Sequence, residues 1–238
     1  ARSALAWGGS QPSAYATPSR SSWSMKRALP DKLWDTLPGW LATDKSDSRQ
    51  WDANGTHFDV LLLQSYVRVT PPGTAIVEIG SHGGRSAFAL LEGLRSIGRE
   101  DVEIHCFDPY LPGTESDGLN CVAIQVARDT FRDAIAKHAD GQIVLHEVDS
   151  IEGAKAWSGP PVWLMHIDGD HTYEQVRGEL SAWLPWLLSH PVLIFDDWLS
   201  YGGIRKACWE VFPPEHFACI NRGFSRYAVT RVNEHVRQ

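Results

Sequence analysis

"AIVEIGSHGGRSAFALLEGLRSIG", Ala75 to Gly98, joins an apolar run, a glycine-rich turn and a segment of helical character without a linker between them. The same alternation recurs downstream. The runs "VEIHCFD" (102–108), "QIVLHEV" (142–148), "VWLMHID" (162–168) and "PVLIFDD" (191–197) are separated by "CVAIQVARDTFRDAIAKHA" (121–139) and "YEQVRGELSAWLPWLL" (173–188). Strands apolar on both sides that alternate with helices form a parallel sheet covered on both faces. The fold class expected is therefore α/β, doubly wound. In the tail, "FACINRGFSRYAVTRV" (217–232) reads as two further strands joined at Asn221-Arg222-Gly223. This gives a mostly parallel, seven-stranded sheet that ends in an antiparallel pair. Upstream, "THFDVLLLQSYV" (56–67) opens with a Thr-x-x-Asp capping signal and predicts a helix leading into the domain.

Residues 1–55 are rich in Ser, Pro, Ala and Trp (Trp7, Trp23, Trp34, Trp40, Trp51) and keep no sustained period, although "PDKLWDTLPGWL" suits a short helix. The tryptophans predict an arm that packs on its own domain, on a second subunit or over a ligand as a lid. The main domain is expected over residues 56–238. A chain of 238 residues, 43% hydrophobic, has ample core for one large domain. The net charge of -7 argues against a nucleic-acid binder, which needs a basic face to displace counterions. A small-molecule substrate is expected instead. Cys106, Cys121, Cys208 and Cys219 form no CxxC pair, so neither structural zinc nor a disulfide framework is indicated. With no apolar run of the roughly 20 residues a membrane span needs, and no signal-peptide core, the expectation is a cytoplasmic protein without membrane contact.

In open α/β sheets ligands sit beyond the carboxyl ends of the strands. Here those ends are acidic: Glu78, Asp108, Asp149, Asp168 with Asp170, and Asp196 with Asp197. Singly, each acid could be a helix cap; together they describe a polar cleft. The turn "EIGSHGGRS" (78–86) lets the backbone approach a ligand at Gly80, Gly83 and Gly84, yet it does not spell GxGxxG, which weakens a dinucleotide reading. Asp108, 28 residues after Gly80, is placed to accept both hydroxyls of a ribose.

This combination resembles the class I S-adenosylmethionine-dependent methyltransferases, with "VEIGSHGGRSA" as their glycine motif. From Thr56 onward the resemblance implies their Rossmann-like fold. It also implies S-adenosylmethionine as cofactor, bound in part by Ser81, with Glu78 and Gly80 beside its methionine part and Ser86 near its carboxylate. Asp108 would lie on the ribose and Asp149 and Ser150 beside the adenine, with Asp168 also among the cofactor-binding residues.

"HIDGDHTYEQV" (166–176) followed by "VLIFDDW" narrows the resemblance to metal-dependent O-methyltransferases of the macrocin type, which modify sugars in natural products. The acid spacing is also similar to that of catechol O-methyltransferases. In both families the matching positions bind Mg²⁺, which implies Asp168, Asp196 and Asp197 as ligands. Read from the residues alone, three carboxylates from neighbouring strand ends either cap and pair structurally or share a cation. All-oxygen ligands suit Mg²⁺, Mn²⁺ or Ca²⁺ rather than zinc. His171 takes the position of the base in the sugar enzymes, where catechol enzymes carry lysine; Asp170 is the alternative base.

The function expected is transfer of a methyl group to one hydroxyl of a vicinal diol, on a sugar or glycosylated natural product, by a homo-oligomer. A catechol-type phenol acceptor, a nicotinamide-dependent oxidoreductase and a non-catalytic binding domain are the alternatives. His82 and His166 read as surface or core histidines. Tyr173 and Trp198 suit either the rim of the pocket or packing, and Gly202-Gly203 either a hinge or an ordinary loop into a helix.

Overall fold

Every residue of β1 (Ala75–Ile79) is buried, as a strand covered on both faces requires. In the structure, a computed structural model, residues 58–111, 121–212, 217–219 and 228–231 are described. The arm, the Thr56 cap, the boundary between residues 55 and 56, and the Asn221-Arg222-Gly223 turn lie outside them. The described chain runs α1 (Phe58–Val67), β1, α2 (Arg85–Arg95), β2 (Ile104–Phe107), α3 (Cys121–His138), β3 (Ile143–His146), α4 (Ser150–Lys155) and β4 (Val162–Ile167). It continues with α5 (Tyr173–Trp183), a 3-10 turn (Leu184–Trp186), β5 (Leu187–Phe195), α6 (Gly202–Val211), β6 (Phe217–Cys219) and β7 (Ala228–Arg231).

The strands form one seven-stranded sheet in the order β3-β2-β1-β4-β5-β7-β6. The pairs β1–β2, β2–β3, β1–β4 and β4–β5 are parallel; β5–β7 and β6–β7 are antiparallel. The expected fold class is therefore observed. From β1 the chain winds outward through β2 to β3, then returns to place β4 on the other side of β1. The switch point lies between β1 and β4, and ligands of such sheets bind beyond the strand ends at that crevice.

Two elements differ from the sequence reading. "DSIEGAK" forms the short α4, capped by Asp149, where no helix was expected. β5 begins at Leu187, inside the segment read as helix, and a register shift against β4 separates Val162 from Leu164. Pro191 lies along this irregular stretch, which suits a residue with no N–H to give the ladder.

One face of the sheet is covered by α5 and α6, whose Val176, Leu180, Trp183, Ile204 and Ala207 pack on Val77, Ile79, Met165, Ile167 and Phe195. Trp183 is fully buried, 5.1 Å from the Phe107 ring and 5.4 Å from the Trp157 ring between centroids. Elsewhere in the core Phe88 of α2 meets Phe131 of α3 edge to face at 6.2 Å. Such offset and edge contacts suit the ring quadrupoles. Among the described residues no helix is long and apolar enough to cross a membrane, and the thiols of Cys106 and Cys208 are free and buried.

Candidate active site

The glycine turn after β1 is fixed by close packing. Gly80 has φ +78°, and a Cβ there would lie 2.1 Å from the Asp168 carbonyl oxygen. The backbones of β1 and β4 thus touch at the switch point, and only glycine meets both conditions. Gly84, at φ +83°, opens α2, and a Cβ there would stand 2.0 Å from the Phe131 ring. His82 lies between them in the left-handed region at φ 44° and is exposed, which answers its surface reading.

Asp108 ties this turn to the end of β2. Its Oδ2 accepts the His82 N–H at 2.8 Å and its Oδ1 accepts the Tyr110 N–H at 2.8 Å. Tyr110 closes the loop by donating its hydroxyl to the His82 carbonyl at 3.0 Å. Burial pushes the Asp108 carboxyl up, and the N–H bonds from His82 and Tyr110 oppose it. The Ser81 N–H adds to these bonds, and a carboxylate with about four lone-pair sites still has room for a further donor. Ser81 is buried beneath the turn, while Ser86 on the first turn of α2 is half-buried.

The acids beyond β4 and β5 continue the parallel ladder. Asp168 gives its N–H to Ile79 at 2.8 Å, and Asp196 gives its N–H to Ile167 at 2.9 Å. Asp197 donates its N–H to Asp196 Oδ1 at 2.7 Å, with φ 51°. Burial, then the charge of Asp196, pushes the Asp168 carboxyl well above the usual carboxylate range; His166 opposes this, and Asp197 and Glu78 add to it. Such mutual repulsion is what a hard divalent cation relieves, and the donor set is all oxygen. Among the described residues, however, no group of three His, Cys, Asp or Glu side chains is arranged to hold a metal ion. The strand ends bring Asp168, Asp196 and Asp197 into one electrostatic cluster without aiming them at one point.

His171 Nε2 stands 3.7 Å from Asp168 Oδ1, and its ring stacks on Tyr201 with centroids 4.5 Å apart and planes at 19°. The first turn of α6 presses on this loop: a Cβ at Gly203 would lie 2.6 Å from the His171 carbonyl oxygen. The Gly202-Gly203 pair is therefore a helix start in tight contact with the His171 loop. Asp170 Oδ1 accepts the Thr172 N–H at 2.9 Å, an Asx turn leading into α5.

The remaining predicted residues also make structural contacts of their own. Glu78 is fully buried within β1, 3.3 Å from His166 Nδ1, and accepts the Cys106 thiol at 3.4 Å. Burial alone would pull the His166 imidazole down, but Glu78, with Asp168 and Asp196, raises it. His166 is thus a core histidine. Asp149 caps α4, Oδ1 accepting the Ile151 N–H at 2.9 Å, and Ser150 is buried with its hydroxyl on Glu179. Tyr173 donates to Glu210 at 2.6 Å across α5 and α6, and Trp198 is buried against Phe195. Packing, rather than a pocket rim, accounts for both. Sequence reasoning missed Tyr110, Tyr201, Gln175 and Glu179. Tyr110 had a signal, standing two residues after a strand-terminal Asp; Tyr201 had none, since its partner lies in another loop.

A family model described as a methyltransferase domain matches residues 77–198, from within β1 to the turn beyond β5. The chain belongs to this family and is a methyltransferase, and the nicotinamide alternative falls with that membership. No curated protein compared with the chain matches it. Among solved structures it is similar to the SAH-bound methyltransferase PaMTH1 of Podospora anserina, with 16% identity, 87% of this chain and 89% of that one covered, and a TM-score of 0.59. It is also similar to apo CalS11, described as a TDP-rhamnose 3'-O-methyltransferase of calicheamicin biosynthesis, at 20% identity, coverage of 84% and 90%, and TM-score 0.54. The O-methyltransferase NovP gives 16% identity, coverage of 73% and 79%, and TM-score 0.56. At these identities the likeness is one of fold.

Proposed function

We propose that this methyltransferase uses S-adenosylmethionine to methylate a hydroxyl of a vicinal diol on a sugar or glycosylated small molecule, with Mg²⁺ held beside the cofactor. The observation that carries this reading is that a pinned carboxylate, Asp108 at the end of β2, and an acid cluster with an adjoining imidazole at the ends of β4 and β5 lie on either side of β1 and its glycine turn. The sugar substrate of CalS11 and the O-methyl transfer of NovP support the acceptor class, and the SAH bound to PaMTH1 supports the cofactor.

When bound, S-adenosylmethionine supplies an electrophilic methyl group and Mg²⁺ lowers the pKa of a coordinated hydroxyl. The chain's own residues do the rest. Gly80 and Ser81, above buried Glu78, shape the turn for the methionine part, Ser86 faces its carboxylate, and Asp108 accepts the ribose hydroxyls through the lone pairs its backbone donors leave. Asp149 and Ser150 wall the adenine side. Asp168, Asp196 and Asp197 would hold the cation once their side chains turn toward one point, with Mn²⁺ or Ca²⁺ as substitutes. His171 Nε2, beside Asp168, takes the acceptor proton. Asp170 is the weaker candidate for that step, because its Oδ1 already serves the Thr172 N–H.

Calorimetric titration of Mg²⁺ into the chelator-treated protein saturated with S-adenosylhomocysteine tests the division of labour. Asp196→Asn is expected to abolish Mg²⁺ binding and leave S-adenosylhomocysteine affinity unchanged. Equal loss of both, or an unaltered Mg²⁺ site, would contradict it.

A further inference from the structure

Glu179 is the buried acid for which this chemistry has no use. It projects from α5, is 1% exposed, and meets two segments that follow strands, the β3–α4 junction and the β4–α5 loop. Its Oε1 accepts the Ser150 hydroxyl at 2.8 Å and the Gln175 amide at 3.1 Å. The same Gln175 amide nitrogen reaches Asp149 Oδ2 at 3.1 Å. A chain of hydrogen bonds therefore runs Asp149, Gln175, Glu179, Ser150 and closes through the peptide joining Asp149 to Ser150. Overhead lies the Asp168–Asp170 loop: a Cβ at Gly169 would stand 3.7 Å from Glu179 Oε1. Alongside, α4 and α5 touch so closely that a Cβ at Gly178 would lie 2.7 Å from Ile151 Cδ1.

As a structural brace a carboxylate is a costly choice here. Glu179 Oε2 is buried with no hydrogen-bond partner among the described residues. The charged groups facing the carboxyl are both acids, Asp149 from the β3–α4 junction and Asp170 from the β4–α5 loop, while its own helix adds only the neutral Gln175. A glutamine would accept the same two bonds and escape the repulsion.

We propose that Glu179 is a positioning residue for the cofactor: through Gln175 and Ser150 it sets the Asp149–Ser150 wall, and its ionised form holds that wall in the binding arrangement. The proposal rests on the reading that S-adenosylmethionine lies against Asp149 and Ser150. With Asp149 Oδ1 occupied by the Ile151 and Glu152 N–H groups, Gln175 is what fixes Oδ2. Ionised, Glu179 accepts charge-assisted bonds from Gln175 and Ser150; protonated, it is a poorer acceptor and both donors loosen. Burial, against the bonds from Ser150 and Gln175 and with the help of Asp149 and Asp170, pushes the carboxyl up to about 7, so the two forms exchange near neutrality.

The test is calorimetric titration of the full chain with S-adenosylhomocysteine from about pH 6 to about pH 8, each pH in two buffers of different ionisation enthalpy. Wild type is expected to bind about fivefold tighter at the upper end and to release protons on binding near neutrality. Glu179→Gln, which keeps the acceptor oxygen and so the fold, is expected to bind without that pH dependence or proton release. Gln175→Met, which cuts the link to Asp149, is expected to bind more weakly with Glu179 intact. An affinity independent of pH in wild type, or an unchanged pH profile and proton release in Glu179→Gln, would overturn the positioning role while leaving the cofactor reading in place. Absence of binding by wild type at every pH would overturn the cofactor reading, and this inference with it.

Discussion

Asp168 carries more of this site than any other residue. Its N–H extends the β1–β4 ladder, its carbonyl forbids a side chain at residue 80, and its carboxyl collects the repulsion of Asp196 and Asp197. Replacing Gly80 by alanine sets a methyl group against backbone that cannot swing aside, in a conformation L-residues rarely adopt. Gly80→Ala is expected to cost about 2 kcal/mol or more by urea denaturation; a wild-type midpoint would show that the strand ends separate easily. His171 is expected to matter only for chemistry. In His171→Ala turnover should fall about 10²- to 10⁴-fold with S-adenosylhomocysteine affinity kept, and full turnover would return the base role to Asp170. The residue types were legible in sequence because acids at strand ends are conspicuous. What each acid does was not, since Asp108 as a clasp depends on N–H groups that only the folded backbone brings near.

Elements were readable where local pattern and tertiary demand agree. β1, β2, β3 and β4 lie within the apolar runs that announced them, and α2, α3 and α5 within the expected helical segments. α4 is six residues long, too short for periodicity to register, though Asp149 with Glu152 three residues on is a capping signal. β5 starts early because "LL" after the 3-10 turn is compatible with either state and is decided by pairing with β4. The β2–β3 pair carries a feature of its own. His105 Nδ1 and His146 Nε2 are 3.1 Å apart, and Glu103 stands 3.2 Å from His105 Nε2. Burial, then the neighbouring His146, holds His105 below the usual histidine range against the pull of Glu103; burial does the same for His146. Both histidines therefore bind protons more readily unfolded than folded. Their contribution is intact above about pH 6.5, the unfolded value, and is lost as pH falls from there through the folded values. His146→Gln is expected to lose less stability than wild type between about pH 7.5 and about pH 5.5 in urea denaturation. Equal losses would mean the pair does not titrate on unfolding.

At the scale of the molecule, winding out to β3 and back to β4 opens a crevice beside β1, and the glycine turn and acid cluster face each other there. The class of fold was legible from alternation alone, and the antiparallel end from the tail; the β5–β7–β6 order is set by long-range pairing that no local pattern encodes. The central claim is that this crevice binds S-adenosylmethionine through Asp108. Isothermal titration of wild type and Asp108→Asn with S-adenosylmethionine tests it most directly. The account predicts that wild type binds and that Asp108→Asn binds about tenfold more weakly or worse, through loss of charge-assisted bonds to the ribose hydroxyls. No binding by wild type, or equal affinity in the two proteins, would contradict it.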